Sequence, residues 1–449
     1  MTEIMPFVGT RYNSRFIGNL SKVLSPPYDV ISPEFQDKLY KRDPHNIVRL
    51  ELNKVEAGDT SQNNRYTRAR NTFRLWRSDS ILIEDELPSL YFYEQVFKLP
   101  DSTTKSRRGF YAAVKLEDYQ SGGIKAHEQT FAGPKADRLN LMRSTNANFS
   151  PIFLIYRDPK HDISDIVDSV MQETPWEEVV DDDGVIHKLW VIQDNAIIAS
   201  LKALMRERSL FIADGHHRFE TALNYRNEMR EKTGLCDGKQ PFDYMMMYLT
   251  AAEQDGMVIL PTHRVLSREV LQDVCLPDVL KELRENFDFE SAGVVDFDDP
   301  DSATKNILPK LVAKGQNRTP AFAMIQHDGT LTYITLKKGV MPKTLIDDES
   351  VSDIICNLDV TILHRYIFNQ VMIGNPDYEL ETEEECFYVR DIKRVFSLLK
   401  TKRCSLAFLM NTPNMEQVLE VVQQGEKMPH KSTYFYPKTI TGFVLRYMG

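Results

Sequence analysis

Residues 209–226 read SLFIADGHHRFETALNYR, and the reading of the whole chain turns on them. LFIA is a short apolar run of the kind that forms a buried strand. FETALNYRNEM follows, with Phe219, Ala222, Leu223, Arg226 and Met229 recurring at helical spacing. Between them stand Asp214, Gly215, His216, His217 and Arg218. The order is therefore strand, tight loop, helix. A helix N-terminus presents backbone N–H groups and a partial positive charge, which suits an anion and phosphate above all. Gly215 lets the backbone approach a ligand closely and tolerates unusual dihedrals. Arg218 can fork onto phosphate oxygens, and the macrodipole disfavours a cation in a first turn unless an anion accompanies it. His216 and His217 can donate to phosphate or move a proton. Asp214 can hold magnesium or orient a hydroxyl. An ordinary alternative stands beside this one: Asp214 caps the helix and the histidines pack in the core. From these residues alone the two readings balance. A zinc site is weaker, since adjacent histidines point apart and no third ligand has telling spacing.

The rest of the chain narrows the class. It has 449 residues, 42% hydrophobic and 27% charged, as expected of a globular protein with two or three domains. The formal net charge of -10 has the wrong sign for coating nucleic acid or an anionic membrane, so neither is an expected partner. Five widely spaced cysteines without a CxxC pair fit a reducing compartment. With no signal-peptide pattern and no run of membrane-spanning length, the expected location is the cytoplasm.

The expected fold class is mixed α/β. Tyr66, Ala69, Phe73 and Trp76 mark a helix in 61–78. LYFYEQVFKL and GFYAAVKLEDY read as a hairpin, PIFLIYRD and HKLWVIQD as further strands, and DNAIIASLKALM as a helix capped by Asp194. Residues 1–266 form the main α/β domain in this reading. Residues 267–342, with a helix, an acidic loop and an Asp328-Gly329 hairpin, form an inserted small α+β subdomain. Residues 343–449 form a C-terminal mixed segment packing back on the main domain.

Two further stretches are dense in functional residue types. IKAHEQTFAGPKADRLNLMRS holds Lys125, His127, Glu128, Lys135, Asp137, Arg138 and Arg143. Phosphoryl transfer needs cations for phosphate and a carboxylate for the acceptor's proton, which makes Glu128 the first candidate for the base and Lys135 and Arg138 candidates for phosphate. PHKSTYFYPK offers Lys431, Ser432, Thr433 and Lys438 as a phosphate cradle, and LPTHR offers His263 and Arg264. Each also has an ordinary reading, as a charged loop or a plain edge strand. Asp29 in SPPYDVIS follows a Pro-Pro-Tyr turn that restricts its geometry, where a buried turn-satisfying Asp is the commoner outcome.

The segments PPYDVIS, AHEQTFAGPKADRL, SPIFLIY, ADGHHRFETAL, LPTHR and MPHKSTYFYPK, in this order, resemble the family known as domain of unknown function 1015. The ADGHHR segment also resembles the signature of the ParB/sulfiredoxin-like superfamily, which includes partition proteins, sulfiredoxin and a free serine kinase. That resemblance implies a nucleotide-binding core whose strand–loop–helix receives phosphates, with extra mixed strands around it. It implies a magnesium-dependent phosphotransferase using ATP or ADP on a small hydroxy compound, with serine or phosphoserine as the specific substrate. In it Glu128, Asp214 and His216 are catalytic, Asp214 also holds the metal, and Gly215, His217 and Arg218 bind phosphate. Sulfiredoxin's reactive Cys is replaced here by His216. The alternatives are a phosphatase using the same pocket and a nucleotide-gated regulatory protein. The expected partners are a nucleotide and a small-molecule substrate, with a homo-oligomer allowed.

Overall fold

A computed structural model describes residues 2–449 apart from 100–101, 119–122, 127–131, 347, 377, 379–384 and 402, with 132–134 described as backbone only. The chain folds as two compact units, residues 1–258 with 437–449, and residues 259–436. Both mix helices and strands, as the hydrophobic periodicities predict. The division differs from the expected one: the inserted part extends to 436, and only the last thirteen or so residues return. The reason is strand pairing. His263–Ser267 pairs with both Cys386–Val389 and Cys404–Met410, which closes 343–436 into the same sheet as the 321–336 hairpin.

The first unit is built on a nine-stranded mixed sheet. Its order is Ile124–Lys125, Leu210–Asp214, Ile152–Tyr156, Tyr244–Ala251, Thr104–Lys115, Leu90–Lys98, Ile186–Ile192 and Glu177–Val180, with Ile4–Met5 pairing with Thr104–Lys115. The expected hairpin forms with Tyr91 opposite Tyr111 and Glu94 opposite Arg108. Side chains alternate between the two faces of a strand. One face carries Phe92, Phe110, Val114, Leu154, Met247 and Ile212, covered by the helices Asp162–Val170, Asn195–Met205 and His216–Thr233. Asp194 caps the second of these through the amides of Ala196 and Ile197, as expected. The opposite face carries a buried aromatic layer. Tyr93 lies 5.2 Å from both Tyr111 and Tyr248, and Phe153 lies 5.3 Å from Tyr248. Desolvation of these phenols raises their pKa and keeps them neutral.

The chain end belongs to this unit. Leu445–Tyr447 pairs with Gly9–Tyr12 and Ala147–Asn148 in a four-stranded sheet. That pairing anchors the segment 437–444 against the aromatic face, where Gln95 donates to the Lys438 carbonyl at 2.9 Å.

The second unit is a six-stranded antiparallel sheet, ordered Phe287–Val294, Thr330–Leu336, Ala321–Gln326, Cys404–Met410, His263–Ser267 and Cys386–Val389. Apolar clusters cover both faces. The Asp328-Gly329 turn forms with Gly329 at φ +88. The acidic loop is shorter than its sequence implies, because Asp299 caps a helix that starts at Pro300.

Candidate functional site

The strand Leu210–Asp214 carries the decisive irregularity. Ile212 pairs with Leu154 and Asp214 with Phe153, so Ala213 is an extra residue in a bulge. Strict alternation would put Asp214 on the face of Leu210 and Ile212. The bulge turns it to the aromatic face instead. Lys438 and Arg218 meet it there. The Lys438 ammonium contacts Asp214 Oδ1, and Arg218 Nη2 donates to Oδ2 at 2.6 Å. Burial alone would push the Asp214 carboxyl up. The Lys438 and Arg218 cations outweigh it, with Arg107 adding to them, and hold it below the ordinary carboxylate value.

Gly215 follows in the left-handed conformation, φ +94, and is the N-cap of the helix His216–Thr233. The helix has no side-chain cap, so Asp214 does not play the capping role that the ordinary reading gave it. Arg218 sits in the first turn and folds back along the loop. A Cβ on residue 215 would stand 3.0 Å from its Nε and Nη2. Gly215 and Arg218 thus explain each other: glycine leaves room for the guanidinium, and the guanidinium tolerates the positive helix end because Asp214 and the Pro151 carbonyl receive it. Burial lowers the Arg218 pKa, but Asp214, Asp29, Tyr28 and Glu51 outweigh it and the net shift is upward.

Three other sequence segments converge here. Arg138 stacks over the Tyr28 ring at 4.0 Å and pairs with Asp137 and, at 3.2 Å, with buried Glu51. Glu51 accepts from Ser150 at 2.8 Å. Burial raises its pKa despite Arg138 and Ser150. Burial also pushes the Tyr28 hydroxyl up to about 12 against the opposing field of Arg138 and Arg218. Glu51, Arg138, Ser150, Arg218 and Thr221 line a cavity of about 30 Å³, room for a water molecule. Asp29 is exposed rather than buried, and its charge is one of those raising Arg218. Lys135 pairs with Glu220 at 2.8 Å across two helices. His216 is buried and His217 half-buried. Glu128 and His127 lie outside the described residues.

Asp214 was expected to hold magnesium. Both its oxygens are taken by cations, and no group of three or more His, Cys, Asp or Glu that could hold a metal occurs among the described residues. These residues do not fit a bound divalent cation.

The structure brings together Asp214, Gly215, Arg218 and Lys438, and links Arg138 to them through Tyr28 and Glu51. His263, Arg264, Lys431, Ser432 and Thr433 belong to the second unit instead. His263 is buried there. Its Nδ1 accepts the Met410 amide at 3.2 Å, and burial together with Arg264 lowers its pKa to about 3. It is a neutral acceptor and not a cationic phosphate donor. Ser432 donates to the Pro429 carbonyl, and Lys431 lies 4.3 Å over the Tyr388 ring. Sequence reasoning missed Tyr28, Glu51 and Arg107. Arg107 was hidden among the cations of KSRR, a stretch that reads as a polar loop. Its buried guanidinium lies 4.5 Å over Phe153 and donates to Gln95 and the Pro437 carbonyl. Glu51 carried no signal.

The fold and this junction define a mixed α/β protein with a buried cation–carboxylate cluster at a strand–helix turn. The chain belongs to the family described as protein of unknown function (DUF1015), whose profile matches residues 4–361. No curated protein is detectably similar. Among solved structures, a free serine kinase in complex with AMP is 14% identical, covering 72% of this chain and 86% of its own, with a TM-score of 0.31. A conserved hypothetical protein from Pyrococcus furiosus is 14% identical over 73% of this chain and 93% of its own, at 0.31. SbnI from Staphylococcus aureus, truncated at its C-terminus, is 10% identical over 74% and 85%, at 0.32. No helix among the described residues is long and apolar enough to cross a membrane.

Proposed function

We propose that the chain binds the phosphates of a nucleotide at the start of the helix His216–Thr233 and transfers a phosphoryl group to a small hydroxy compound, with free serine as the first substrate to test. The observation that carries this reading is the Asp214–Arg218–Lys438 cluster at a helix start capped by a left-handed glycine. First-turn amides point along the helix axis, and Gly215 has no side chain to receive them. Two cations share one carboxylate beside those amides, so an arriving phosphate meets oriented positive charge without moving the backbone. Serine enters from the resemblance of ADGHHR to the serine-kinase signature. For the acceptor's proton the resemblance names Glu128. Asp29 is a second carboxylate to weigh, because it is exposed and its charge reaches Arg218. The same pocket serves the reverse reaction, loss of phosphate from a phosphomonoester.

Phosphorus NMR tests the proposal. The protein is mixed with the magnesium salt of ATP or ADP and serine, and separately with phosphoserine and AMP. A phosphoserine resonance growing in the first mixture, or shrinking in the second, supports transfer and gives its direction. Glu128→Gln and Asp29→Asn then identify the base by which of them abolishes turnover while nucleotide still binds. Nucleotide resonances that broaden without any turnover would leave a nucleotide-gated regulator. Spectra unchanged in every mixture would sink the nucleotide site itself.

A further inference from the structure

The second unit contains a buried arginine whose charge nothing around it balances. Arg264 is 1% exposed. Its Nε donates to His364 Nε2 at 2.8 Å, Nη1 donates to the Thr262 carbonyl, and Nη2 donates to the Lys431 carbonyl at 3.3 Å. Its guanidinium lies 4.5 Å over the Tyr388 ring. Every one of these partners is neutral. His364 must be unprotonated at Nε2 to accept, and burial together with Arg264 pushes its pKa well below the ordinary histidine value. No carboxylate forms an ion pair with Arg264 among the described residues. Burial accordingly lowers its own pKa, with only Cys386 and Tyr388 opposing. A buried charge without a counter-charge is costly, and a bound anion would offset that cost.

The guanidinium also has donor capacity beyond these three contacts. Of its five N–H groups, the three contacts above occupy one on each nitrogen, which leaves one on each terminal nitrogen. That pair is the fork that matches two oxygens of a carboxylate or phosphate. Arg264 lines a pocket of about 260 Å³ built wholly from the second unit. Thr262, Arg318, Asp359, Asn411, Gln417 and Ser432 share its wall, so a second cation, one acid and several polar residues line the same space. The volume is enough for a molecule of amino-acid size.

We propose that this pocket binds a small organic anion whose carboxylate or phosphate is forked by Arg264, with its polar remainder held by the polar residues of the wall. Asp359 fits such a remainder, since burial raises its pKa to about 7 and lets it donate to, or accept from, a ligand hydroxyl. The inference is independent of the proposal for the Asp214 cluster, because its reporters lie in the other unit.

Hydrogen exchange on the full chain tests it, with inorganic phosphate and malonate as separate probes. Protection of peptides covering 260–267 and 407–417 by either probe is expected, and the probe that protects identifies the oxyanion. Arg264→Gln should abolish that protection while circular dichroism shows a folded chain. Should that variant fail to fold, Arg264→Lys keeps the charge but loses the fork and should need at least tenfold more probe. Protection by neither probe, or undiminished protection in both variants, overturns the proposal.

Discussion

Arg218 and Arg264 are both buried arginines beside a strand end, and their surroundings treat them in opposite ways. Arg218 has Asp214 at 2.6 Å, and its pKa is raised. Arg264 has two carbonyls, a neutral histidine and a ring, and its pKa is lowered. The desolvation cost is common to both. Only Arg218 meets a countercharge supplied by the chain. Around Asp214 the charges therefore form a closed electrostatic network. The second unit holds an open one that a ligand would complete.

The largest effect should come from opening the closed network. Asp214→Ala leaves buried Arg218 and half-buried Lys438 without their carboxylate, and should destabilise the first unit by about 3–5 kcal/mol. All three tryptophans, Trp76, Trp176 and Trp190, lie in that unit, so fluorescence during urea unfolding reads it directly. Arg264→Gln should cost the second unit clearly less, read by hydrogen exchange of the strand Cys404–Met410. Equal losses would erase the contrast.

Gly215→Ala comes next. A side chain at φ +94 costs roughly 1–2 kcal/mol and pushes against the Arg218 guanidinium. It should weaken nucleotide binding in calorimetry more than it lowers stability. A variant that binds nucleotide as the parent does would detach the glycine from the site.

A pH series sharpens the open side. The Asp359 pKa is about 7 in the folded chain against an ordinary 3.8, so the folded state holds its proton where the unfolded state has lost it. This group therefore costs stability increasingly as pH rises from about 4 to 7. Asp359→Asn removes that cost, and its melting temperature should gain on the parent's across the same window. A constant difference would mean that the carboxyl is not desolvated.

The smallest effect is a control. Arg143 and Glu228 pair on the surface with more than two-fifths of each side chain exposed. Glu228→Gln should move the fluorescence-detected stability by no more than about 0.5 kcal/mol, since water already solvates both charges.

Much of this protein was written locally. The helix Arg65–Ser78, the cap at Asp194, the 90–115 hairpin and the Asp328-Gly329 turn follow from periodicity and turn chemistry, which act over a few residues. The strand–loop–helix at DGHHR was legible for the same reason, and Arg218 in a first turn was recognisably odd. What the sequence could not determine is which charges neutralise which. Lys438 is 224 positions from Asp214, and Glu51 is 87 from Arg138; the tertiary fold brings them together and no local pattern announces it. The bulge that turns Asp214 toward Lys438 is likewise a matter of register with Ile152–Tyr156. The assignment of LPTHR and HKST to another unit was equally hidden, because the pairing of His263–Ser267 with strands more than a hundred residues away decides it. Local sequence chose the elements and the residue types of the site. Long-range pairing chose their partners, because burial makes each charge depend on what the rest of the fold places beside it.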